Sequence, residues 1–129
     1  MAIHAMNHFT ILTDDVEATR EFYCELLDLH VGWRPPFTFP GLWLYAGDTA
    51  ILHVIGGKTR AELHAGVIDH MAFTASGLPA TARRLAGRGI RYDLRRLANM
   101  PDGQWQMFFH DPNGARVELD FDASEAAPA

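Results

Sequence analysis

Apolar and polar residues alternate in short runs along this chain, and twice the alternation gives way to a stretch with helical spacing. Residues 8–12 are β-prone and lead into a polar turn. Val16, Phe22, Leu26 and Leu27 then recur at the interval of one helix face. Asp14 followed by Glu17 predicts a capping box at the start of this first helix, and Asp28 and Gly32 follow its end. Residues 70–74 open a second β-prone segment. A helix follows with Pro79 in its first turn, and Gly87 and Gly89 close it. After each helix come three short strand-like segments: LHVGW, GLWLYAG and TAILHVI, then IRYDL, WQMFFH and ARVELDF.

The two halves are related in sequence as well as in pattern. A shift of 62 positions (70 − 8) lays His70 on His8 and also matches Leu78 to Val16, Ala80 to Ala18 and Thr81 to Thr19. An ungapped match through a strand, a turn and the start of a helix argues for internal duplication. The expected organisation is a βαβββ module over residues 4–57, a polar, glycine-flanked connector over 58–66, a second βαβββ module over 67–122 and a tail over 123–129. The tail contains no large apolar side chain and is expected to fray. The predicted class is α+β, with two tandem βαβββ modules forming a curved mixed sheet around a metal-binding cavity.

Side chains in a strand alternate between faces, so a polar residue among apolar neighbours marks the exposed or functional side. His8 and His70 open the first strands of the two halves, while His53 and Glu118 lie in the last strands. The offset from His53 to Glu118 is 65 (118 − 53), three more than for the histidines, so a three-residue insertion makes the two pairs equivalent. Packing about a pseudo-twofold axis would bring three imidazoles and a carboxylate together. Two histidines and a carboxylate leave coordination positions open on a divalent metal, a donor set that suits non-haem Fe(II) and also Zn, Ni and Cu. His53 is then a fourth ligand or an acid/base group. His4, His30, His64 and His110 are read as hydrogen-bonded structural residues.

Composition narrows the range of partners. The chain has 129 residues, is 48% hydrophobic and carries 16 acidic against 11 basic side chains, for a formal charge of −5. That is core enough for one domain and offers no field for a phosphate backbone or an anionic membrane, so neither nucleic acid nor membrane is expected as a partner. Arg83, Arg84, Arg88, Arg91, Arg95 and Arg96 form a local basic run without interleaved aromatics, read as a solvated face. Cys24 is the single cysteine and cannot form an intrachain disulfide; with no signal peptide or apolar span apparent in the sequence, a cytoplasmic protein is expected.

The stretch WRPPFTFPGLWLYAG concentrates prolines and aromatics. Trp33, Phe37, Phe39, Trp43 and Tyr45, with Trp105, Met107 and Phe109 from the second half, are candidates to line a pocket for a flat or apolar small molecule. No cluster of Lys and Arg near the candidate ligands suggests an anion clamp.

The stretches NHFTILTDDVEATREFYCELLDL, IDHMAF and HDPNGARVELDF resemble the vicinal oxygen chelate superfamily, which includes glyoxalase I, methylmalonyl-CoA epimerase, fosfomycin and bleomycin resistance proteins and type I extradiol dioxygenases. The resemblance implies that His8, His70 and Glu118 bind a divalent metal, with Fe(II) ranked first and Zn, Ni, Co or Mn as alternatives. It also implies a homodimer and a small substrate with vicinal oxygens. His53 falls where glyoxalase-like members place a fourth ligand and extradiol dioxygenases an acid/base histidine, so the expectation leans to a dioxygenase-like enzyme, with a glyoxalase-type lyase or isomerase as the alternative. Phe108 departs from the extradiol signature, which has Tyr there, and Asn99 and Met100 stand near the place of its upstream His. A small-molecule binding or resistance protein without catalysis is the competing class; bleomycin-binding members lack the metal ligands that this chain keeps.

Overall fold

A computed structural model describes all residues, 1–129, as two compact units, Met1–His64 and Ala65–Ala129. In the first, β1 (Phe9–Leu12) leads into α1 (Val16–Glu21), followed by β2 (His30–Val31), β3 (Gly41–Ala46) and β4 (Thr49–Ile55). In the second, β5 (Met71–Thr74) leads into α2 (Leu78–Gly87), followed by β6 (Asp93–Arg96), β7 (Trp105–His110) and β8 (Arg116–Phe121). Each unit is thus a βαβββ module with a four-stranded mixed sheet, ordered β1-β4-β3-β2 and β5-β8-β7-β6, and neither sheet closes on itself. The first strand lies parallel to the last, because a helical crossover separates them, and the remaining pairs are antiparallel.

The register makes the internal repeat concrete. Thr10 lies opposite His53, and Ala72, 62 residues after Thr10 (72 − 10), lies opposite Glu118. His53 and Glu118 therefore occupy the same node of the two sheets. Trp43 sits across β3 from His53, and Phe108 sits across β7 from Glu118.

Alternation divides each sheet into an apolar and a polar face. Ile11, Leu44, Leu52 and Val54 are buried with Phe22, Tyr23 and Leu26 of the helical segment. In the second module the corresponding core is Met71, Met107, Phe109, Val117, Leu119 and Phe121 with Leu78, Ala82 and Leu85 of α2. Met107 is 0% exposed. It packs in the core rather than lining a pocket, and Phe109 does likewise. Trp105 shares their face: its Nε1–H donates to the Glu125 carbonyl at 3.0 Å, and the Arg96 guanidinium lies 3.7 Å over its ring. The pocket role expected for Trp105 and Met107 therefore fails by one position of strand alternation. On its other face β7 presents Gln106, Phe108 and His110.

The helix ends differ from the expected caps. Asp15, not Asp14, caps α1, accepting from the Ala18 N–H at 3.0 Å, and the helix widens into a π-helical turn over Phe22–Leu26. Pro79 does stand in the first turn of α2, but the cap position is Gly77, which adopts φ +85° and has no side chain to accept a bond. The Glu125 carboxylate supplies the missing acceptor, taking the Gly77 and Leu78 N–H groups at 2.6–3.1 Å. The tail expected to fray is thus tied down as far as Glu125. The connector carries its own order, a short turn at Arg60–Glu62 closed by a reciprocal Thr59–Glu62 capping box.

Candidate metal centre

Each module presents a histidine just ahead of its first strand and pairs it with the residue at the equivalent node of its last strand. In the second module, His70 Nε2 lies 2.7 Å from Glu118 Oε2, and His70 Nδ1 lies 2.7 Å from Asp69 Oδ2. Because Asp69 can only accept when ionised, it draws the Nδ1 proton and leaves Nε2 as the coordinating nitrogen. A separation of 2.7 Å is that of a hydrogen bond, one proton being shared between His70 Nε2 and Glu118 Oε2, and a cation bound by the two would take the place of that proton. Gln106 Nε2 donates to Glu118 Oε1 at 2.8 Å, which turns Oε2 toward His70. The Glu118 side chain is only 7% exposed, so this orientation is enclosed.

Two residues on, Asp120 continues the same face. Burial, together with the neighbouring Glu118 carboxyl, pushes its pKa up to about 6, and its Oδ1 is a buried atom without a hydrogen-bond partner. A half-buried histidine paired with a buried carboxylate, outer partners on both members, and an unsatisfied carboxyl oxygen beside them make a donor set that fits a divalent cation.

The first module repeats the outer-shell device with different chemistry. His8 Nδ1 donates to Asn7 Oδ1 at 2.7 Å, as His70 does to Asp69, again leaving Nε2 for other work. The His8 and His53 rings, however, stack at 3.7 Å with planes 15° apart, and His53 stacks on Trp43 at 4.0 Å and 9°. Lone pairs in near-parallel stacked rings run side by side and do not converge, whereas a metal must lie in the plane of each ring that binds it. As packed, His8 and His53 do not chelate one ion together. Burial and then His8 lower the pKa of His53, keeping this imidazole neutral and able to accept a proton near pH 7. Neither module alone gathers three metal-binding side chains.

The aromatic segment WRPPFTFPGLWLYAG extends the stack. Trp33 meets Trp43 edge to face at 6.0 Å, Phe37 stacks on Phe39 at 4.9 Å, and the Arg34 guanidinium lies about 5 Å over both phenylalanine rings. Trp33, Phe37 and Phe39 are 71%, 44% and 41% exposed, so they are not core residues. Tyr45 is half-buried, stacks on His30 and donates its hydroxyl to the Trp33 carbonyl. His64 Nδ1 contacts the Glu62 carbonyl.

Sequence reasoning missed three residues of the second module. Asp69 and Gln106, which orient the histidine and the carboxylate, were legible only as a polar neighbour and as an alternating polar position. Arg95 is the third. Its guanidinium lies 4.5 Å over the Phe108 ring, as does that of Arg116, which is paired with Asp69 at 2.9 Å. Arginines do stand beside the candidate ligands, contrary to the expectation that none cluster there.

The fold belongs to a recognisable class. The model of the Glyoxalase/Bleomycin resistance protein/Dioxygenase superfamily matches residues 5–119, and the chain belongs to that superfamily. A curated relative, "Glyoxylase I 4" of Arabidopsis thaliana, is 27% identical over 122 residues, covering 89% of this chain and 69% of the relative. Among solved structures, the glyoxylase/bleomycin resistance protein/dioxygenase domain from Frankia sp. EAN1pec matches with TM-score 0.76 at 18% identity, covering 97% of this chain and 96% of that one. A point mutant of the fosfomycin resistance protein FosX from Listeria monocytogenes, complexed with Mn(II) and 1S,2S-dihydroxypropylphosphonic acid, matches with TM-score 0.75 at 14% identity over 94% of both chains. At that identity, the likeness to both solved structures is one of fold.

Proposed function

We propose that this protein is a divalent-metal-dependent enzyme that moves a proton on a small substrate carrying two adjacent oxygens, in the manner of a lyase or isomerase. His8, His70 and Glu118 hold the metal, and His53 carries the proton. The observation that bears the reading is the His70–Glu118 contact at 2.7 Å, with Asp69 and Gln106 fixing its two members from outside. The similarity to a protein named glyoxylase I and the Mn(II) bound by FosX agree with it.

When bound, the metal supplies a Lewis acid that stabilises the negative charge developing on the substrate oxygens. His53, kept neutral by burial and by His8, takes the proton and returns it. Trp43, stacked on His53, fixes the plane of that imidazole, and the exposed aromatics Trp33, Phe37 and Phe39 offer surface to the apolar part of a substrate. A family-like homodimer is part of the proposal; light scattering on the purified protein checks it.

Extradiol-type oxygenation on iron is the second reading, carried by the histidine at position 53. Phe108 weighs against it, because this ring brings no hydroxyl to the face where it lies opposite Glu118. Elemental mass spectrometry on untagged protein purified without oxygen tests both readings. Bound zinc, nickel, cobalt or manganese together with turnover of hemithioacetals supports the lyase. Iron together with oxygen uptake on catechols supports the oxygenase. No bound metal, with small-molecule binding retained in His70→Ala, would leave a non-catalytic binding protein.

A further inference from the structure

Five of the six arginines in the run from Arg83 to Arg96 have no place on the ligand-bearing face. Arg83, Arg84 and Arg88 lie on or just past α2, and Arg91 precedes β6. Arg96 points to the core side, where it covers Trp105 and donates to the Gly103 and Ala123 carbonyls at 2.7 and 2.8 Å. Strand alternation sends Arg95 the other way. It lies directly across from Gln106, which in turn lies across from Asp120, so Arg95 shares the face of Gln106, Glu118 and Asp120.

Its surroundings set it apart from Arg116, the other arginine on this face. Both guanidiniums lie 4.5 Å over the Phe108 ring, and the His70 ring meets the same ring edge-on at 5.9 Å. Arg116 is neutralised by Asp69 at 2.9 Å. Arg95 has no carboxylate within ion-pair distance, although Asp93 is two residues away on its own strand. Phe108 is 5% exposed and pairs across β7–β8 with Glu118, so the ring that supports Arg95 is fixed in the same wall as the ligand pair. A guanidinium spread over an aromatic face keeps its N–H fork in the ring-parallel plane, free for a planar two-oxygen acceptor.

We infer that Arg95, held on Phe108, is the anion-recognition residue of this site, and that the substrate bears a carboxylate in addition to its vicinal oxygens. The inference deepens the proposed function and rests on that reading of the His70–Glu118 face as the reaction site. A lysine would serve less well, since a compact ammonium neither spreads over the Phe108 ring nor meets a carboxylate with two parallel bonds.

The test uses 3,4-dihydroxybenzoate and its methyl ester as probes: both carry vicinal oxygens and only the first carries the carboxylate. Calorimetric titrations are run on manganese-loaded full-length protein, wild type, Arg95→Met and Arg95→Lys, with the Arg95 Nε–H resonance followed in parallel. The wild type is expected to prefer the acid by roughly ten- to a hundredfold, the yield of one charge-assisted hydrogen-bonded pair. Arg95→Met should erase the preference and leave the ester's affinity unchanged, and Arg95→Lys should restore part of it. An acid/ester ratio unchanged in Arg95→Met, or an Arg95 Nε–H signal that the acid does not move, overturns the inference. Loss of affinity for both probes on chelation of the metal reports on the metal reading separately, because the acid/ester ratio does not depend on it.

Discussion

Where the last strand of the first module carries His53, the last strand of the second carries Glu118, and around this exchange two equivalent sheet faces have diverged. Trp43 and Phe108 stand at matching nodes, yet Trp43 extends a stack of aromatic rings, whereas Phe108 supports two guanidiniums. Ile55 of the first module corresponds to Asp120 of the second, since each lies opposite residues 62 apart, Leu12 and Thr74 (74 − 12). What both keep is the entry histidine with its Nδ1 held by the preceding residue, Asn7 or Asp69. A duplicated backbone fixes where side chains project, and substitution on that face then separates an aromatic wall from a charged one.

The largest expected effect comes from breaking the pairing at the shared node. Glu118→Ala should lower metal affinity by roughly a hundredfold or more, while His53→Ala should keep the metal and lose turnover; metal titration and activity measured on both variants check this. Equal metal loss in the two would make the modules alike in function and sink the division of labour. Next comes the core, where the modules should behave alike. Tyr23→Ala and Leu85→Ala, each at a fully buried position, should cost about 3–5 and 2–5 kcal/mol respectively in denaturant unfolding.

Gln106 sharpens the comparison at the second module, because Gly41 at the matching place (across from Ile55, as Gln106 is from Asp120) has no side chain to orient a ligand. Gln106→Leu should weaken metal binding by about tenfold without a comparable change in the unfolding midpoint of metal-free protein. The helix caps rank below that. Asp15→Ala and Glu125→Ala should each cost about 1 kcal/mol, and hydrogen exchange should localise the first to α1 and the second to both α2 and the tail.

The last expected effect is one of pH. Asp120 titrates at about 6 in the fold against an ordinary 3.8, so the folded chain binds more protons than the unfolded chain within that window. Metal-free protein should therefore lose stability as pH rises from about 4 to 6 by this group's share and level off above. Asp120→Asn should flatten that slope, read as the melting temperature against pH.

Much of the fold was legible in the sequence. The period-two runs located β4 and β7 to the residue, and the self-match at 62 positions anticipated the shared node of His53 and Glu118. Hydrophobic spacing and duplication are local or self-referential signals, readable without knowing what packs against what. The errors fell where partners are distant. Alternation shows that Trp105 and Met107 share a face but not which face, and only the core beneath β7 decides it. Asp14 was the expected cap, and only the path of the backbone shows that Asp15 takes that position.

The sequence by itself determined the duplicated βαβββ plan and the four chemically distinctive positions, His8, His53, His70 and Glu118, because strand and helix periodicities are properties of the chain. The tertiary structure alone decided that His8 stacks on His53 while His70 meets Glu118, that Gln106 and Asp69 orient the second pair, that Arg95 and Arg96 part to opposite faces, and that Glu125 caps a helix 47 residues before it. Those are contacts between residues far apart in the chain, set by sheet register and packing, and no local pattern encodes the register.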